Sequence, residues 1–209
     1  MESLSQDWWM INTNIAAGTY LLVACLLWSS YDACVLADIL LFLVLLLIAA
    51  LVGTVFMHLF LRIPYVPSSR KSIETMIALA KLTGNETVYD LGAGDGRVLL
   101  KSKKYYPEIT AIGIERVPTI WLLGWVRSRG SGIRFERANA LRRDICDADV
   151  VFLYLFPSLM SELEKKFDRE LRPGTKVVAN VFPFPNRKPV RHEEVQTWLG
   201  KKKVWVYEW

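Results

Sequence analysis

The stretch that decides the fold is "VYDLGAGDGRVLL", residues 88–100. A short apolar run contains Asp90, three glycines follow at alternate positions, and an amphipathic run begins at Arg97. Glycines at such a turn let the backbone approach a ligand closely, because no side chain stands in the way. In an open α/β sheet, ligands bind beside the first strand-to-helix turn. The segment therefore predicts a ligand site at the carboxyl end of a strand over residues 88–91.

Two common phosphate-binding turns do not match this segment. A P-loop requires G-x-x-x-x-G-K-[ST], and the chain contains no such run. A dinucleotide-binding turn requires glycine at the sixth position of G-x-G-x-x-G, and counting from Gly92 that position is Arg97. The segment instead reads D-x-G-x-G-x-G, which calls for a different ligand.

Two acidic residues indicate what the turn holds. Asp90 would repel a pyrophosphate at the end of the first strand, but it suits a ligand with a cationic amino group. Glu115 ends the next predicted strand, 19 residues after Gly96, where a carboxylate can accept both hydroxyls of a ribose. S-Adenosylmethionine carries an ammonium, a sulfonium and a ribose, and it fits this pair of acids. The alternative interpretation is a glycine-rich turn without a cofactor.

The chain after residue 64 alternates predicted strands and helices, which indicates an α/β fold with a mostly parallel sheet and helices on both faces. The predicted strands cover residues 88–91, 109–115, 133–137, 149–155 and 176–182, and the chain ends with the apolar "VWVYEW". The predicted helices run from Ser69 to Gly84, over 97–105, from Pro118 onward and over 158–171. This pattern predicts one domain over residues 70–209.

The first 61 residues differ in composition from the rest. They contain four acidic residues and no Lys or Arg, whereas 26 basic and 17 acidic residues follow, a net charge of +9. Residues 39–61 carry no ionisable side chain except His58, and as a helix of about 35 Å they would cross the bilayer core of about 30 Å. A shorter apolar run at 15–28 predicts a second span. We therefore predict a membrane anchor over 1–61, a transmembrane helical hairpin with one or two spans (about 11–30 and 37–61).

A linker is predicted over residues 62–69, and the basic residues that begin at Arg62 set the expected orientation. By the positive-inside rule they place the C-terminal domain on the cytoplasmic side, at a prokaryotic plasma membrane or, alternatively, the mitochondrial inner membrane. Attraction to anionic lipid explains the positive charge, so the bilayer is an expected partner and nucleic acid is not. Three scattered cysteines and two isolated histidines predict neither a disulfide framework nor a metal site.

With the glycine turn, Asp90 and Glu115 in register, residues 64–209 resemble the class I, seven-strand methyltransferases, which use S-adenosylmethionine and have a Rossmann-like sheet. Several segments narrow the resemblance to the membrane-anchored lysine methyltransferases that act on the ATP synthase c subunit and the adenine nucleotide translocase, with their prokaryotic relatives. Those segments are "YVPSSRKSIETMIALA", "GIERVP", "ADVVFLYLFPSLMSELEKKF" and "ELRPGTKVVANVFPFP". That family also carries an N-terminal hydrophobic segment.

The resemblance implies roles for individual residues. The methionine end of the cofactor would contact Asp90 and the turn that follows it, which comprises Gly92, Ala93, Gly94, Asp95 and Gly96. Glu115 would hold the ribose. Asn139 stands near the position where the family has an acid for the adenine amino group, and Val117 stands where the family usually has Asn. These two departures weaken the expectation for the adenine side.

The expected reaction is methyl transfer to a lysine side chain of a membrane protein, an in-line displacement that needs a neutral amine. Tyr154 is the candidate for orienting that amine, and a core aromatic is the alternative interpretation. Tyr65 and Ser68 either close over the cofactor or belong to a plain linker, and we favour the linker. Trp121 and Trp125 are expected to pack on one helix face. Alternative functions are a lipid, quinone or other small-molecule methyltransferase and a non-catalytic cofactor-binding scaffold.

Overall fold

The computed structural model describes residues 35–56, 66–197 and 200–209. The chain divides into two compact units, Met1–Gly53 and Thr54–Trp209. The first described element is helix α1, Val35–Phe56, which has 22 residues; an 18-residue stretch of it has a mean hydropathy of 3.1 and no buried residues. By length and composition α1 is able to cross a membrane. The predicted first span over 11–30 lies outside the described residues, as does the end of the second.

The remaining elements alternate as the sequence pattern predicts. They are α2 (Arg70–Ala80), β1 (Thr87–Leu91), α3 (Arg97–Tyr105), β2 (Thr110–Glu115), α4 (Pro118–Arg127), β3 (Ile133–Arg137), β4 (Val150–Leu153), α5 (Pro157–Glu170), β5 (Lys176–Asn180), β6 (Arg191–Thr197) and β7 (Gly200–Glu208). Proline at the first position starts both α4 and α5, because its fixed φ suits a helix and its missing N–H is not needed there.

The strands form one seven-stranded sheet in the order β3-β2-β1-β4-β5-β7-β6. The first five strands pair in parallel, whereas β7 pairs antiparallel with both β5 and β6. Strand β1 lies between β2 and β4, so the chain runs outward from it in both directions. This reversal of direction leaves a crevice at the carboxyl end of β1, the usual ligand position in open α/β sheets.

Two apolar clusters cover the two faces of the sheet. One contains the buried faces of α2 and α3, including Ile73, Met76 and Leu99. The other contains α5 through Leu163 and Phe167. The predicted Rossmann-like seven-strand sheet with helices on both faces is confirmed.

Some predicted boundaries were wrong. Helix α2 ends at Ala80 rather than Gly84, because Lys81 takes the left-handed conformation (φ 49°) that stops it. Strands β4 and β5 are shorter than their apolar runs, and β7 is longer than "VWVYEW". Strand β6 was not predicted, since it is a largely exposed edge strand with the polar sequence "RHEEVQT".

Candidate active site

A cavity of about 240 Å³ lies at the carboxyl ends of β1, β2 and β4. It brings together all the residues that the sequence predicts for the cofactor except Gly96, and it also contains Tyr154. The described residues that line it include Val66, Ser68, Asp90, Gly92, Ala93, Gly94, Asp95, Arg97, Glu115, Arg116, Val117, Ile120, Asn139, Tyr154, Leu155, Phe156 and Phe182. Gly96 instead forms the N-cap of α3, directly behind the turn.

The glycine turn needs glycine for both its conformation and its close packing. Gly92, Gly94 and Gly96 have φ of 76°, 59° and 78°, in the left-handed region that other residues rarely adopt. A Cβ on Gly92 would lie 2.7 Å from Cδ2 of Leu155. The N–H groups of Gly92 and Ala93 both donate to the carbonyl of Ile114, at 2.9 and 3.0 Å, which ties the turn to β2.

Asp90 presents a buried carboxyl group to the cavity. Its side chain is 4% exposed, and it has no hydrogen-bond or ion-pair partner among the residues that the structure describes. Burial, together with the negative charges of Glu115 and Asp95, raises the pKa of Asp90 to about 8. A buried carboxyl group without a partner is costly to ionise, so this position suits a ligand that supplies a positive charge.

Glu115 uses both carboxylate oxygens to organise the neighbouring backbone. Oε2 accepts from the N–H of Gly94 at 3.0 Å, and Oε1 accepts from the N–H groups of Arg116 and Val117 at 2.8 and 2.9 Å. These bonds fix the carboxylate at the end of β2 and hold the glycine turn against it. Oε2 keeps a further lone pair for a ligand, because a carboxylate oxygen accepts two hydrogen bonds, whereas the N–H groups of Arg116 and Val117 already occupy both lone pairs of Oε1.

Asp95 also lines the cavity, but arginines occupy its carboxylate. Arg97 donates from Nε to Oδ1 at 2.8 Å and from Nη2 to Oδ2 at 2.7 Å, and Arg127 forms an ion pair with the same group. Burial alone would raise the pKa of Asp95, but the hydrogen bonds and charges of the two arginines outweigh it and lower the pKa. Asp95 therefore braces the glycine turn through α3 and α4.

Asn139 lies in the cavity, where the resemblance implies the adenine contact. Its Oδ1 accepts from the N–H of Leu141 at 3.1 Å, and its carbonyl accepts from Arg142 and Arg143 in the turn that follows β3. The side chain therefore has a structural role in this turn. Because an amide oxygen has two lone pairs, Oδ1 can accept a second hydrogen bond from a ligand.

Three aromatic rings stand together at the side of the cavity formed by the ends of β4 and β5. The Phe182 ring stacks with the Tyr154 ring at a centroid distance of 6.1 Å and with the Phe156 ring at 5.9 Å. Burial raises the pKa of the Tyr154 hydroxyl, so Tyr154 is a neutral phenol at physiological pH. We call Tyr154, Phe156 and Phe182 the aromatic trio; the latter two were not predicted as site residues.

The backbone before Phe182 is strained. Val181 has φ of 70°, which is an outlier for a β-branched residue. Its N–H donates to the carbonyl of Lys203 at 2.8 Å, and its carbonyl accepts from Nε1 of Trp205 at 3.0 Å. Strand β7 thus holds the conformation that delivers Phe182 to the cavity, and strain of this kind is concentrated at functional sites.

Ser68, which we expected to belong to a plain linker, lines the cavity. It is 8% exposed; its Oγ accepts from Nδ2 of Asn180 at 3.1 Å, and its carbonyl accepts from Nη1 of Arg97 at 3.2 Å. Asn180 is also buried, and its Oδ1 has no partner in the described part of the chain. Tyr65 lies outside the described residues.

Helix α4 carries the two tryptophans expected to pack on one face. The rings of Trp121 and Trp125 stack at 6.1 Å, and Nε1 of Trp121 donates to the carbonyl of Phe135 at 3.3 Å. Trp125 is nevertheless 36% exposed, so only Trp121 packs onto the sheet.

Comparison with known proteins shows similarity to one methyltransferase domain and to several lysine methyltransferases. The ANTKMT methyltransferase domain matches residues 90–191. A protein-lysine N-methyltransferase of Saccharolobus islandicus is 31% identical over 151 residues, 69% of this chain and 92% of the relative. The human lysine N-methyltransferase of the ATP synthase c subunit is 30% identical, covering 70% of this chain and 61% of that protein. For the mouse adenine nucleotide translocase lysine N-methyltransferase the identity is 31%, and the coverage is 71% and 64%. The chain therefore spans less than two thirds of these two mammalian proteins.

Among solved structures, an RNA methyltransferase from Salinibacter ruber in complex with S-adenosyl-L-homocysteine superposes with a TM-score of 0.63 at 28% identity. The match covers 68% of this chain and 93% of that one. The Bacillus subtilis tRNA methyltransferase TrmK shares the fold, with a TM-score of 0.57 at 13% identity over 69% of this chain and 67% of that one.

Proposed function

The chain belongs to the family of protein-lysine N-methyltransferases with the ANTKMT methyltransferase domain, and we propose that it methylates a lysine side chain of a membrane protein from a position anchored in the same bilayer. S-Adenosylmethionine is the methyl donor of this family. The observation that carries the proposal is the buried Asp90 carboxyl group, which has no partner among the described residues and lies beside the glycine turn in a cavity with Glu115.

The residues present fit this cofactor. Asp90 would pair with the cofactor's ammonium, because a cationic partner offsets the cost of ionising a buried carboxyl group. Glu115 would accept a ribose hydroxyl with the remaining lone pair of Oε2. The turn from Gly92 to Gly96, including Ala93, Gly94 and Asp95, would surround the methionine part, and Asn139 would lie at the adenine. When bound, the cofactor supplies a methyl group on a positively charged sulfur.

The aromatic trio supplies the features that a lysine acceptor requires. Aromatic faces attract an ammonium group as it approaches, and burial away from water lowers the pKa of a lysine so that its amine becomes neutral. The phenol oxygen of Tyr154 can then accept a hydrogen bond from the amine and direct its lone pair. Tyr154 orients the amine rather than taking its proton, since burial raises the pKa of its own hydroxyl.

Membrane anchoring rests on helix α1 and on the distribution of charge. The 22 residues Val35–Phe56 match the hydrocarbon thickness of a bilayer, and all basic residues of the chain follow them. An anchor would also simplify recognition of the substrate. The domain of about 140 residues is little larger than the sheet and its helices, so the anchor would hold the site beside a membrane-embedded substrate. On this proposal the domain lies on the cytoplasmic side.

A radiolabelling experiment tests the substrate. Native membranes that lack the protein are incubated with methyl-labelled S-adenosylmethionine and the purified full chain in detergent. We expect the label in a protein band that yields methyl-lysine on hydrolysis. Label in the lipid extract would indicate a lipid or quinone substrate, and label in RNA would agree with the named activity of the Salinibacter protein. No label, despite binding of S-adenosylhomocysteine, would indicate a scaffold.

Variants test the aromatic trio in the same assay. Tyr154→Phe removes one hydrogen bond, and we expect kcat/KM for the lysine substrate to fall about tenfold, the equivalent of about 1.4 kcal/mol. Affinity for S-adenosylhomocysteine should not change. Tyr105→Phe is the matched control, because it removes a hydroxyl from the exposed surface of α3. Equal activity of both variants would refute the role of Tyr154.

A further inference from the structure

Helix α4 turns an apolar face to the solvent. Beyond α1, seven large hydrophobic side chains of the described residues are exposed, and four of them lie together on α4. These four residues, which we call the α4 apolar face, are Leu122 (50% exposed), Leu123 (45%), Trp125 (36%) and Val126 (51%). A surface helix normally turns such a face to the core, and exposed apolar residues that are grouped rather than scattered mark interaction surfaces.

The way in which α4 packs on the sheet creates this exposed face. Gly124 is the only buried residue of α4, and a Cβ there would lie 2.4 Å from Cζ of Phe135 and 2.8 Å from the carbonyl oxygen of Gly94. The helix therefore approaches the sheet with its backbone at Gly124. The larger apolar side chains on either side of this position point away from the sheet as a consequence.

Exposed basic residues lie before and after α4 in the chain and at the end of strand β3, and one of them contacts the α4 apolar face. Arg116, Arg129 and Arg137 are exposed, and none of them forms an ion pair within the part of the chain that the structure describes. The guanidinium carbon of Arg129 lies 4.4 Å from the centroid of a Trp125 ring. Leucine and valine flanked by tryptophan and arginine are the composition of a helix that lies in a membrane interface.

We propose that α4 is a lipid-binding element, with the α4 apolar face inserted among the headgroups of an anionic bilayer and the neighbouring arginines bound to lipid phosphates. The proposal rests on the membrane anchoring proposed above. Phe56 and Val66 are ten residues apart, a distance of at most about 36 Å along the chain, so a bilayer that holds α1 stays within reach of the domain. Nucleic acid would satisfy the arginines but not four exposed apolar side chains.

Fluorescence quenching by lipid tests the proposal with the full chain in nanodiscs that contain anionic lipid. Cys25, Cys34 and Cys146 are replaced by serine, and an environment-sensitive fluorophore is attached at Leu122→Cys or Val126→Cys. Lys165→Cys, on the exposed surface of α5 on the opposite face of the sheet, is the matched control. Binding of S-adenosylhomocysteine shows that each labelled chain is folded, since no labelled position lines the cavity.

We expect spin-labelled lipid to quench both α4 fluorophores, with a blue shift of their emission, because an interfacial helix lies about 5–10 Å deep. The Lys165→Cys fluorophore should keep its full emission and respond to aqueous iodide. The proposal is overturned if the α4 fluorophores respond only to iodide. It is also overturned if they are shielded from both quenchers, which would indicate a protein partner. Quenching by lipid in a chain that transfers no methyl group would retain this proposal and refute the proposed function.

Discussion

Asp90→Asn should stabilise the ligand-free protein while it removes the cofactor site. Asp90 has a pKa of about 8 in the folded protein, against 3.8 for an ordinary aspartate. Between these pH values the folded chain holds a proton that the unfolded chain has released, so stability decreases as pH rises. At pH 7 the difference amounts to at most about 4 kcal/mol. Asparagine cannot ionise and should recover part of this free energy at pH 7 and almost none below pH 4.

Thermal melts of the ligand-free chain in detergent, at pH 7 and at the lowest pH at which it stays folded, measure this effect. The gain for Asp90→Asn should shrink as pH falls. Glu162→Gln, an exposed acid on α5, is the matched control and should change the melting temperature little at either pH.

The same residue makes cofactor binding depend on pH. At pH 6.5 the ammonium of S-adenosylhomocysteine is protonated and the Asp90 carboxyl group is not ionised, so formation of the ion pair must release about one proton. Calorimetry in buffers of different ionisation enthalpy counts that proton. We expect about one for the wild type and a large loss of affinity for Asp90→Asn. Binding by the wild type without proton release, or equal affinity of the variant, would refute the assignment of Asp90 to the ammonium.

Three further predictions concern Gly92 in the glycine turn, Glu86 before β1 and Ser68 before α2. Gly92→Ala should lower the free energy of unfolding by about 2–4 kcal/mol and weaken S-adenosylhomocysteine binding. The control Gly130→Ala should lower the free energy of unfolding by only about 1 kcal/mol, because Gly130 has a similar positive φ but no atom within 4 Å of an added Cβ. Burial alone would raise the pKa of Glu86, but hydrogen bonds from Thr83 and Gly84 outweigh it and lower the pKa to about 2. Glu86→Gln should therefore destabilise the fold at pH 7, and denaturant titrations should show this effect disappearing as pH falls from 4.5 towards 2. Ser68→Ala should lower the free energy of unfolding by about 1 kcal/mol, because it removes the hydrogen bond with Asn180. It should also reduce cofactor affinity in calorimetry, and unchanged affinity would exclude Ser68 from the site.

The sequence determined those features whose physical cause is local. Glycines after an apolar run marked the end of β1, and proline marked the start of α4, because backbone conformation at these points depends on the residue itself. Asp90 and Glu115 could be placed at one site from sequence, since adjacent parallel strands bring their carboxyl ends to the same edge of the sheet. The apolar composition of residues 39–61 likewise predicted a membrane span without any tertiary information.

The tertiary structure decided those features that depend on distant partners. Strand β6 is polar and pairs with β7 alone, so its sequence contains no periodic apolar pattern from which a strand could be predicted. Asp95 was expected beside the cofactor, but the sequence did not predict the arginines from two helices that hold its carboxylate. Phe182 reaches Tyr154 because β7 stabilises a strained backbone at Val181. Each of these depends on contacts between residues far apart in the chain, whose free energies only the folded arrangement defines.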